Sequence, residues 1–242
     1  MPDTHGGNIF KFSHDHKINL SEVTDFSANI NLLGPSPKGL EALNERLRYI
    51  SHYPDVTNDD VMNTIADVYG IAKDSILLGN GAAELIYAVG RLSGFTGAFV
   101  PAPGFSEYQA SMDAANIPVR EIFYRQRQND DYTPYFEVPY LALQTFAAEL
   151  KGQDGRIIVF LGNPNNPDGT LLDKQSIKVL AQMLKDANSL LVIDESFIDF
   201  IGDESLRDNS YSMRELINQY DNVIIVHSFT KFYAVPGLRI GA

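Results

Sequence analysis

Short apolar runs alternate along this chain with stretches in which apolar residues recur at helical spacing. Six runs read as strands, and most of them are continuously apolar, as strands covered on both faces are; they span residues 75–78, 98–101, 119–123, 156–161, 190–194 and 222–227. Helical i, i+3, i+4, i+7 spacing occurs at Ile177, Leu180, Ala181 and Leu184, at Leu85, Ile86, Val89 and Leu92, and in part at Val61, Ile65 and Val68. The alternation predicts an α/β fold in which a mostly parallel sheet is sandwiched by helices.

Two segments lack this regular alternation. The first 45 residues are rich in glycine and proline and predict an irregular arm that leads into a helix near residues 39–50. The polar stretch 125–139 contains Pro134 and Pro139 and predicts a loop. We therefore assign residues 1–45 to an N-terminal arm and residues 46–242 to the main domain.

Composition and charge exclude several classes of function. The 242 residues include 31 acidic and 19 basic side chains, for a formal net charge of −12, which argues against a nucleic-acid partner because that surface must be basic. The absence of cysteine excludes disulfides, thiolate metal sites and a cysteine nucleophile, and it fits a cytoplasmic protein. No apolar run approaches the roughly 20 residues that cross a bilayer, so no membrane partner is expected.

Candidate chemistry follows the predicted strands, since ligands of open parallel sheets bind beyond the carboxyl ends of the strands. The sequence GNGAAEL after residue 78 opens a helix with glycines, which is either an anion-binding helix start or a tight turn. Phe105, in APGFSEY, either stacks on a planar ring or belongs to the core. The GNPNNPDG turn after residue 161 concentrates asparagines that can donate hydrogen bonds.

Two charged residues stand at the ends of further strands. Asp194 closes the apolar run LLVI, and a carboxylate there requires a cation: either Mg²⁺, for which the matching lysine loop is absent, or a protonated ring nitrogen. Lys231 lies among Phe229, Phe232 and Tyr233, and apolar surroundings lower the pKa of a lysine and make it a nucleophile for carbonyls. The histidines His14 and His16 have no third ligand cluster nearby, so no metal site is expected.

One ligand uses all of these groups. Pyridoxal phosphate needs a lysine, an acid against its ring nitrogen, a donor to its ring hydroxyl, a stacking face and an anion cradle. The motifs NPNNPDG, LLVIDESFIDF and SFTKFYAVPGLRIG resemble those of fold-type I enzymes in the class I/II aminotransferase superfamily, and the resemblance runs from about Asp25 to the chain end. It implies that residues 46–242 form the large domain that binds pyridoxal 5'-phosphate, and that residues 1–45 begin the small domain.

The resemblance also implies a role for each matching residue. Lys231 would hold the cofactor covalently and later shuttle protons, Asp194 would keep the ring nitrogen protonated, and Asn166 would donate to the ring oxygen O3′. The other implied cofactor contacts are Phe105 on the ring face, Ala82, Ala83, Ser228, Thr230 and Arg239 around the phosphate, and Tyr53 reaching the phosphate of a neighbouring subunit. A homodimer with shared sites is therefore expected.

Two branches of the superfamily remain open. The motifs HGGN, DFSANINLLGPSP and GNGAAELIY are most similar to threonine-phosphate decarboxylases of cobalamin biosynthesis, and histidinol-phosphate aminotransferases come next. The latter usually have a tyrosine three residues after the strand-end aspartate, where this chain has Phe197. The resemblance favours a lyase that decarboxylates L-threonine O-3-phosphate to aminopropanol phosphate; the implied substrate contacts are His5, Asn8, Asn31, Leu32 and Gly34.

The alternatives are an aminotransferase acting on histidinol phosphate or a related substrate, a serine-phosphate substrate, or a non-catalytic fragment that binds pyridoxal phosphate. Members of the family normally continue past GLRIG into a C-terminal small domain, on the order of 100 residues by usual domain sizes, whose arginine clamps the substrate carboxylate. That domain is expected to be missing from this chain.

Overall fold

A five-stranded parallel sheet forms the centre of the protein in a computed structural model that describes residues 6–128, 130, 134–137, 155–201 and 210–242. The strands of this sheet are β1 (Phe95–Ala102), β2 (Val119–Phe123), β5 (Arg156–Gly162), β6 (Leu190–Asp194) and β7 (Val223–Val226). A separate hairpin consists of β3 (Arg125–Gln128) and β4 (Pro134–Glu137). The strand order is β2-β1-β5-β6-β7. Successive strands are therefore added on one side of β1 and then on the other, so the strand order reverses between β1 and β5. Ligands of such sheets bind at the point of reversal.

Helices cover both faces of the sheet, as the sequence predicts. The helices in the described residues are α1 (Ile9–His16), α2 (Pro37–Arg46), α3 (Asp59–Tyr69), α4 (Ala82–Val89), α5 (Ser106–Ala114), α6 (Lys174–Asp186) and α7 (Phe229–Phe232), of which α4, α5 and α6 cover the sheet. The apolar stripe of α6 packs with alternate residues of β5 and β6 in one core, and α4 and α5 pack on the opposite face. Burial of both faces explains why β5 and β6 are continuously apolar.

Three predictions of local structure were wrong. Residues 76–78 form no strand. Only the next residue, Gly79, pairs with another segment, and its partner Gly241 lies at the far end of the sequence. The predicted loop at 125–139 contains the hairpin β3–β4, in which Arg127 and Glu137 form an ion pair of 2.7 Å between Nε and Oε2. The arm includes α1, which Asn8 caps by accepting a hydrogen bond from the backbone of Lys11.

The predicted helix near residues 39–50 corresponds to α2 followed by a 3₁₀ turn, Leu47–Tyr49. The boundary placed between residues 45 and 46 falls inside the last turn of α2, so this domain division stays a prediction. Among the helices that the structure describes, none combines the length and the apolar character needed to cross a membrane.

Candidate active site

A pocket at the carboxyl ends of β5 and β6 brings together every predicted cofactor contact except Tyr53. The loops that follow four strands and the start of α4 supply its walls. Its lining residues are Ala82, Ala83, Phe105, Tyr108, Pro164, Asn166, Asp194, Ser196, Phe197, Ser228, Thr230, Lys231 and Arg239. These residues are spread over more than 150 positions in sequence, and the parallel sheet gathers them because its strands end at one edge.

Asp194 is the last residue of β6 and is only 6% exposed. Its carboxylate accepts hydrogen bonds from the hydroxyl of Tyr108 (2.8 Å) and the backbone N–H of Ser196 (2.9 Å). Burial, and secondarily the Asp194 carboxylate, raise the pKa of Tyr108 well above its usual value, so this phenol remains a donor. Each carboxylate oxygen retains acceptor capacity, and the side chain is held in place to meet a cationic group in the pocket.

Lys231 lies in the short helix α7, just beyond β7. Burial lowers the pKa of its ammonium, nearby Arg239 lowers the pKa further, and Asp194 acts in the opposite direction. A lysine whose pKa is lowered is neutral, and therefore nucleophilic, at a lower pH than an exposed lysine. The carbonyl of Lys231 accepts a hydrogen bond from the backbone of Asn31 at 3.1 Å, which ties the arm to this turn.

Arg239 approaches the start of α4, where backbone N–H groups are free of helical partners. A Cβ atom built on Gly81 would lie 2.5 Å from the Arg239 Nη2 atom, and one on Gly241 would lie 2.6 Å from the nitrogen of Ala82. Only glycine therefore allows this close packing. On the other side, the hydroxyls of Ser228 and Thr230 are 2.7 Å apart, which completes a cradle of hydroxyl, amide and guanidinium donors suited to a phosphate.

The asparagines of the NPNNPDG turn divide into two groups. Asn163 accepts a hydrogen bond from the backbone of Leu172 at 2.8 Å, and Asn165 donates to the carbonyl of Pro103 at 3.0 Å. Both are buried and stabilise the turn. Asn166 lines the pocket instead, and its hydrogen bond to the ring oxygen stays a prediction.

The predicted substrate contacts are only partly near the pocket. Asn31 reaches the Lys231 turn, where its side-chain amide donates to the Phe232 carbonyl at 2.9 Å. Leu32 is 90% exposed, and Gly34 adopts a φ of 76° in the same arm. Asn8 caps α1, and His5 lies outside the described residues. Tyr53 is 99% exposed, so its contact with a cofactor phosphate stays a prediction that requires a second subunit.

The sequence analysis did not identify Tyr108 as a site residue. It stands three residues after Phe105, and in the structure the two rings meet edge to face at 5.6 Å. Tyr108 also stacks on Phe160 of β5 at 5.1 Å, which orients its hydroxyl toward Asp194. The i, i+3 spacing was the available indication, because it places both aromatic residues on one side of the start of α5.

The donor set fits pyridoxal 5'-phosphate. A half-buried lysine, a buried carboxylate, an amide, an aromatic ring and a phosphate cradle packed against glycines are present in one pocket. The pocket adjoins a second cleft with which it shares Pro164, Asn166 and Phe197, and Ile30 and Phe200 also line that cleft. This neighbouring space suits a substrate that reacts at the cofactor.

Comparison with known proteins agrees with this chemistry. The family model described as aminotransferase class I and II matches residues 21–242. The chain is 36% identical over 241 residues to the adenosylcobalamin biosynthesis bifunctional protein CobDQ of Leptospira interrogans, covering 98% of this chain and 25% of that protein. It is 31% identical over 242 residues to the threonine-phosphate decarboxylase of Salmonella typhimurium, covering 98% of this chain and 60% of the relative.

A solved structure shows the same architecture. The histidinol-phosphate aminotransferase of Clostridium acetobutylicum superposes with a TM-score of 0.73 at 27% identity, covering 90% of this chain and 59% of that one. This match confirms the predicted fold class. In each comparison the chain spans 60% or less of the length of the protein it matches.

Proposed function

The chain belongs to the class I and II aminotransferase family, whose cofactor is pyridoxal 5'-phosphate, and from this premise we propose that it decarboxylates L-threonine O-3-phosphate to aminopropanol phosphate. The observation that carries the cofactor chemistry is the pocket itself, where Lys231 and the buried Asp194 share one cavity with a phosphate cradle, and Phe197 supports the choice of reaction. We further propose that it acts in the cytoplasm, in cobalamin biosynthesis.

The proposed mechanism assigns a task to each side chain. When bound, pyridoxal phosphate supplies a ring that accepts the electrons of a bond broken at the substrate Cα. The Lys231 amine would hold the cofactor and would then carry a proton to or from Cα, which its lowered pKa favours. Asp194 would maintain a proton at the ring nitrogen, Asn166 would donate to the ring oxygen, and Phe105 would exclude water from one ring face.

Phe197 supports decarboxylation over amino transfer. This half-buried ring lines the pocket three residues after Asp194, where the resemblance to histidinol-phosphate aminotransferases leads us to expect a tyrosine hydroxyl. Phenylalanine donates no hydrogen bond, so Asn166 remains the principal donor to the ring oxygen. The second candidate function is amino transfer from histidinol phosphate, and it is supported by the solved structure that this fold matches.

A paired assay tests the proposal. We expect the protein with added pyridoxal phosphate to release CO₂ from threonine O-phosphate, and to form no glutamate from histidinol phosphate and 2-oxoglutarate. Serine O-phosphate should react within about 10- to 200-fold of threonine O-phosphate, because one methyl group discriminates weakly. Glutamate formation without CO₂ release would assign the chain to the aminotransferases. Cofactor binding with neither product would indicate a non-catalytic, cofactor-binding chain.

We also propose a homodimer, because the segment between α1 and α3 exposes an unusual amount of apolar surface. Leu32, Leu33, Ile50 and Tyr53 are each 83% exposed or more, and apolar surface that a single chain leaves exposed marks a candidate protein interface. A second copy is the proposed occupant because Tyr53 is expected to serve the neighbouring site.

Light scattering during size-exclusion chromatography checks the dimer. We expect a mass of twice the 26.9 kDa of one chain, and we expect Ile50→Glu to shift the protein to the single-chain mass because it places a charge in an apolar interface. The matched control is Phe123→Glu, at an edge strand where the side chain is 68% exposed. A monomer at every concentration tested would contradict the proposal.

A further inference from the structure

Four polar side chains form a hydrogen-bonded chain beneath the turn that carries Lys231, and none of them lines the cofactor pocket. The hydroxyls of Tyr233 and Tyr69 are 3.3 Å apart, and the Tyr69 hydroxyl donates to Asp199 Oδ2 at 3.0 Å. The same oxygen lies 3.0 Å from His227 Nε2. We call these four residues the polar chain.

The polar chain joins three parts of the fold. Its two ends flank Lys231, since His227 precedes the lysine by four residues and Tyr233 follows it by two. Its middle members come from elsewhere: Tyr69 ends α3, and Asp199 lies in the 3₁₀ turn Ile198–Phe200. The contacts therefore anchor both sides of the Lys231 turn to the body of the domain.

The direction of the hydrogen bonds follows from burial. Burial raises the pKa of Tyr69 far above its usual value, and Asp199 and Tyr233 raise it further, so Tyr69 keeps its single proton and donates it in a hydrogen bond to Asp199. The Tyr69 oxygen then accepts from Tyr233, whose pKa burial also raises. Asp199 is 8% exposed, and a carboxylate in such a place is stable only when it is hydrogen-bonded.

Packing reinforces this arrangement. The ring of Phe229, within α7, lies 4.9 Å from the His227 ring and 5.9 Å from the Tyr69 ring. The guanidinium of Arg214 stands 4.5 Å over the Tyr69 ring, a cation–π contact. These contacts hold Tyr69 in place, and it acts as the support to which the turn is attached.

We propose that Tyr69, Asp199 and Tyr233 are positioning residues for Lys231. They hold α7 so that the lysine amine stays half-buried beside Arg239 and Asp194, the two charged groups that act on it. Loss of one hydroxyl loosens the turn, exposes the amine to water and returns its pKa toward the ordinary value. The inference rests on the proposed function only in that Lys231 is the residue that receives the cofactor.

Competitive labelling with acetic anhydride, followed by mass spectrometry of the peptide that contains Lys231, tests the proposal without cofactor. The pH midpoint of labelling reports the pKa of the amine, and Lys178 on α6 serves as an internal reference. We expect Tyr69→Phe and Tyr233→Phe each to raise the Lys231 midpoint by about half a pH unit, roughly the effect of one neutral hydrogen bond. The double variant should move no further, because both hydroxyls belong to one chain of contacts.

The matched control is Tyr124→Phe. The Tyr124 hydroxyl is buried and has no hydrogen-bond partner in the described part of the chain, so its removal should leave the midpoint unchanged. Because Tyr233 is more exposed than Tyr69, Tyr233→Phe should lower the free energy of unfolding less than Tyr69→Phe. Chemical denaturation of each variant measures that stability separately from the labelling midpoint. Unchanged midpoints in Tyr69→Phe and Tyr233→Phe, or an equal shift in Tyr124→Phe, would overturn the proposal.

A second measurement separates this inference from the proposed function. With pyridoxal phosphate in excess, borohydride trapping at Lys231 should be about threefold slower in Tyr233→Phe than in the wild type, the factor by which half a pH unit changes the fraction of neutral amine. If the wild type is not trapped at all, the proposed function fails while the labelling midpoints still decide the positioning role. If wild type and variant are trapped at equal rates, only the positioning role is refuted.

Discussion

Substitution of Lys231 by alanine is expected to abolish the attachment of pyridoxal phosphate to this protein. Lys231 is the only lysine among the residues that line the described pocket. Adding the cofactor to the wild type should produce a visible absorption band and, after borohydride reduction, one stable phosphopyridoxyl group per chain. In Lys231→Ala both signals should disappear, because the covalent bond requires the amine.

The matched control for this experiment is Lys185→Ala. Lys185, near the end of α6, forms an exposed ion pair with Asp221 and does not line the pocket, so its loss should leave both signals intact. Lys231→Ala should still unfold cooperatively, since it removes a half-buried ammonium that lies near Arg239. Equal absorption bands in Lys231→Ala and the wild type would refute the assignment of the cofactor lysine.

Asp194→Asn should have the next largest effect. Asparagine preserves the shape of the side chain but lacks the negative charge that holds a proton at the ring nitrogen. We expect product formation in the presence of saturating cofactor to fall by about 10- to 100-fold, the factor that corresponds to a hydrogen bond with a charged partner. Steady-state kinetics with threonine O-phosphate measure the loss, which should fall on kcat.

Asp221→Asn provides the control for the charge change. Asp221 precedes β7, is exposed and pairs with Lys185, so we expect unchanged kinetics. Chemical denaturation is needed beside the kinetics, because Tyr108 and Ser196 both donate to the Asp194 carboxylate and an amide accepts at one oxygen only. Full activity in Asp194→Asn would exclude the assigned role of this carboxylate.

Much of the site was predictable because its residues stand at the ends of strands that the hydrophobic pattern defines. The apolar run that ends at Asp194 is β6, and the parallel order of the sheet then places the residues after β5, β6 and β7 at one edge. The positions of Asn166, Asp194 and Lys231 relative to strands therefore followed from periodicity, while their roles came from the family resemblance.

Features that depend on contacts between distant segments were not predictable in this way. Residues 76–78 look like a strand in sequence, yet their neighbour is Gly241 and bonding is confined to Gly79. The role of Tyr108 depends on how α5 rotates against β5, since the ring stacks on Phe160. The hairpin β3–β4 has a polar first strand without apolar alternation, so periodicity alone cannot reveal it.

The hydrogen bonds from Asn31 to the Lys231 turn have a thermodynamic consequence. Asn31 holds the backbone of Lys231 and Phe232, while the next two residues, Leu32 and Leu33, are almost fully exposed. If the proposed second copy covers those leucines, it also restrains the turn. Subunit association and ligand binding then share one coupling free energy, and reciprocity requires that the cofactor tighten the dimer by the same factor by which dimer formation tightens the cofactor.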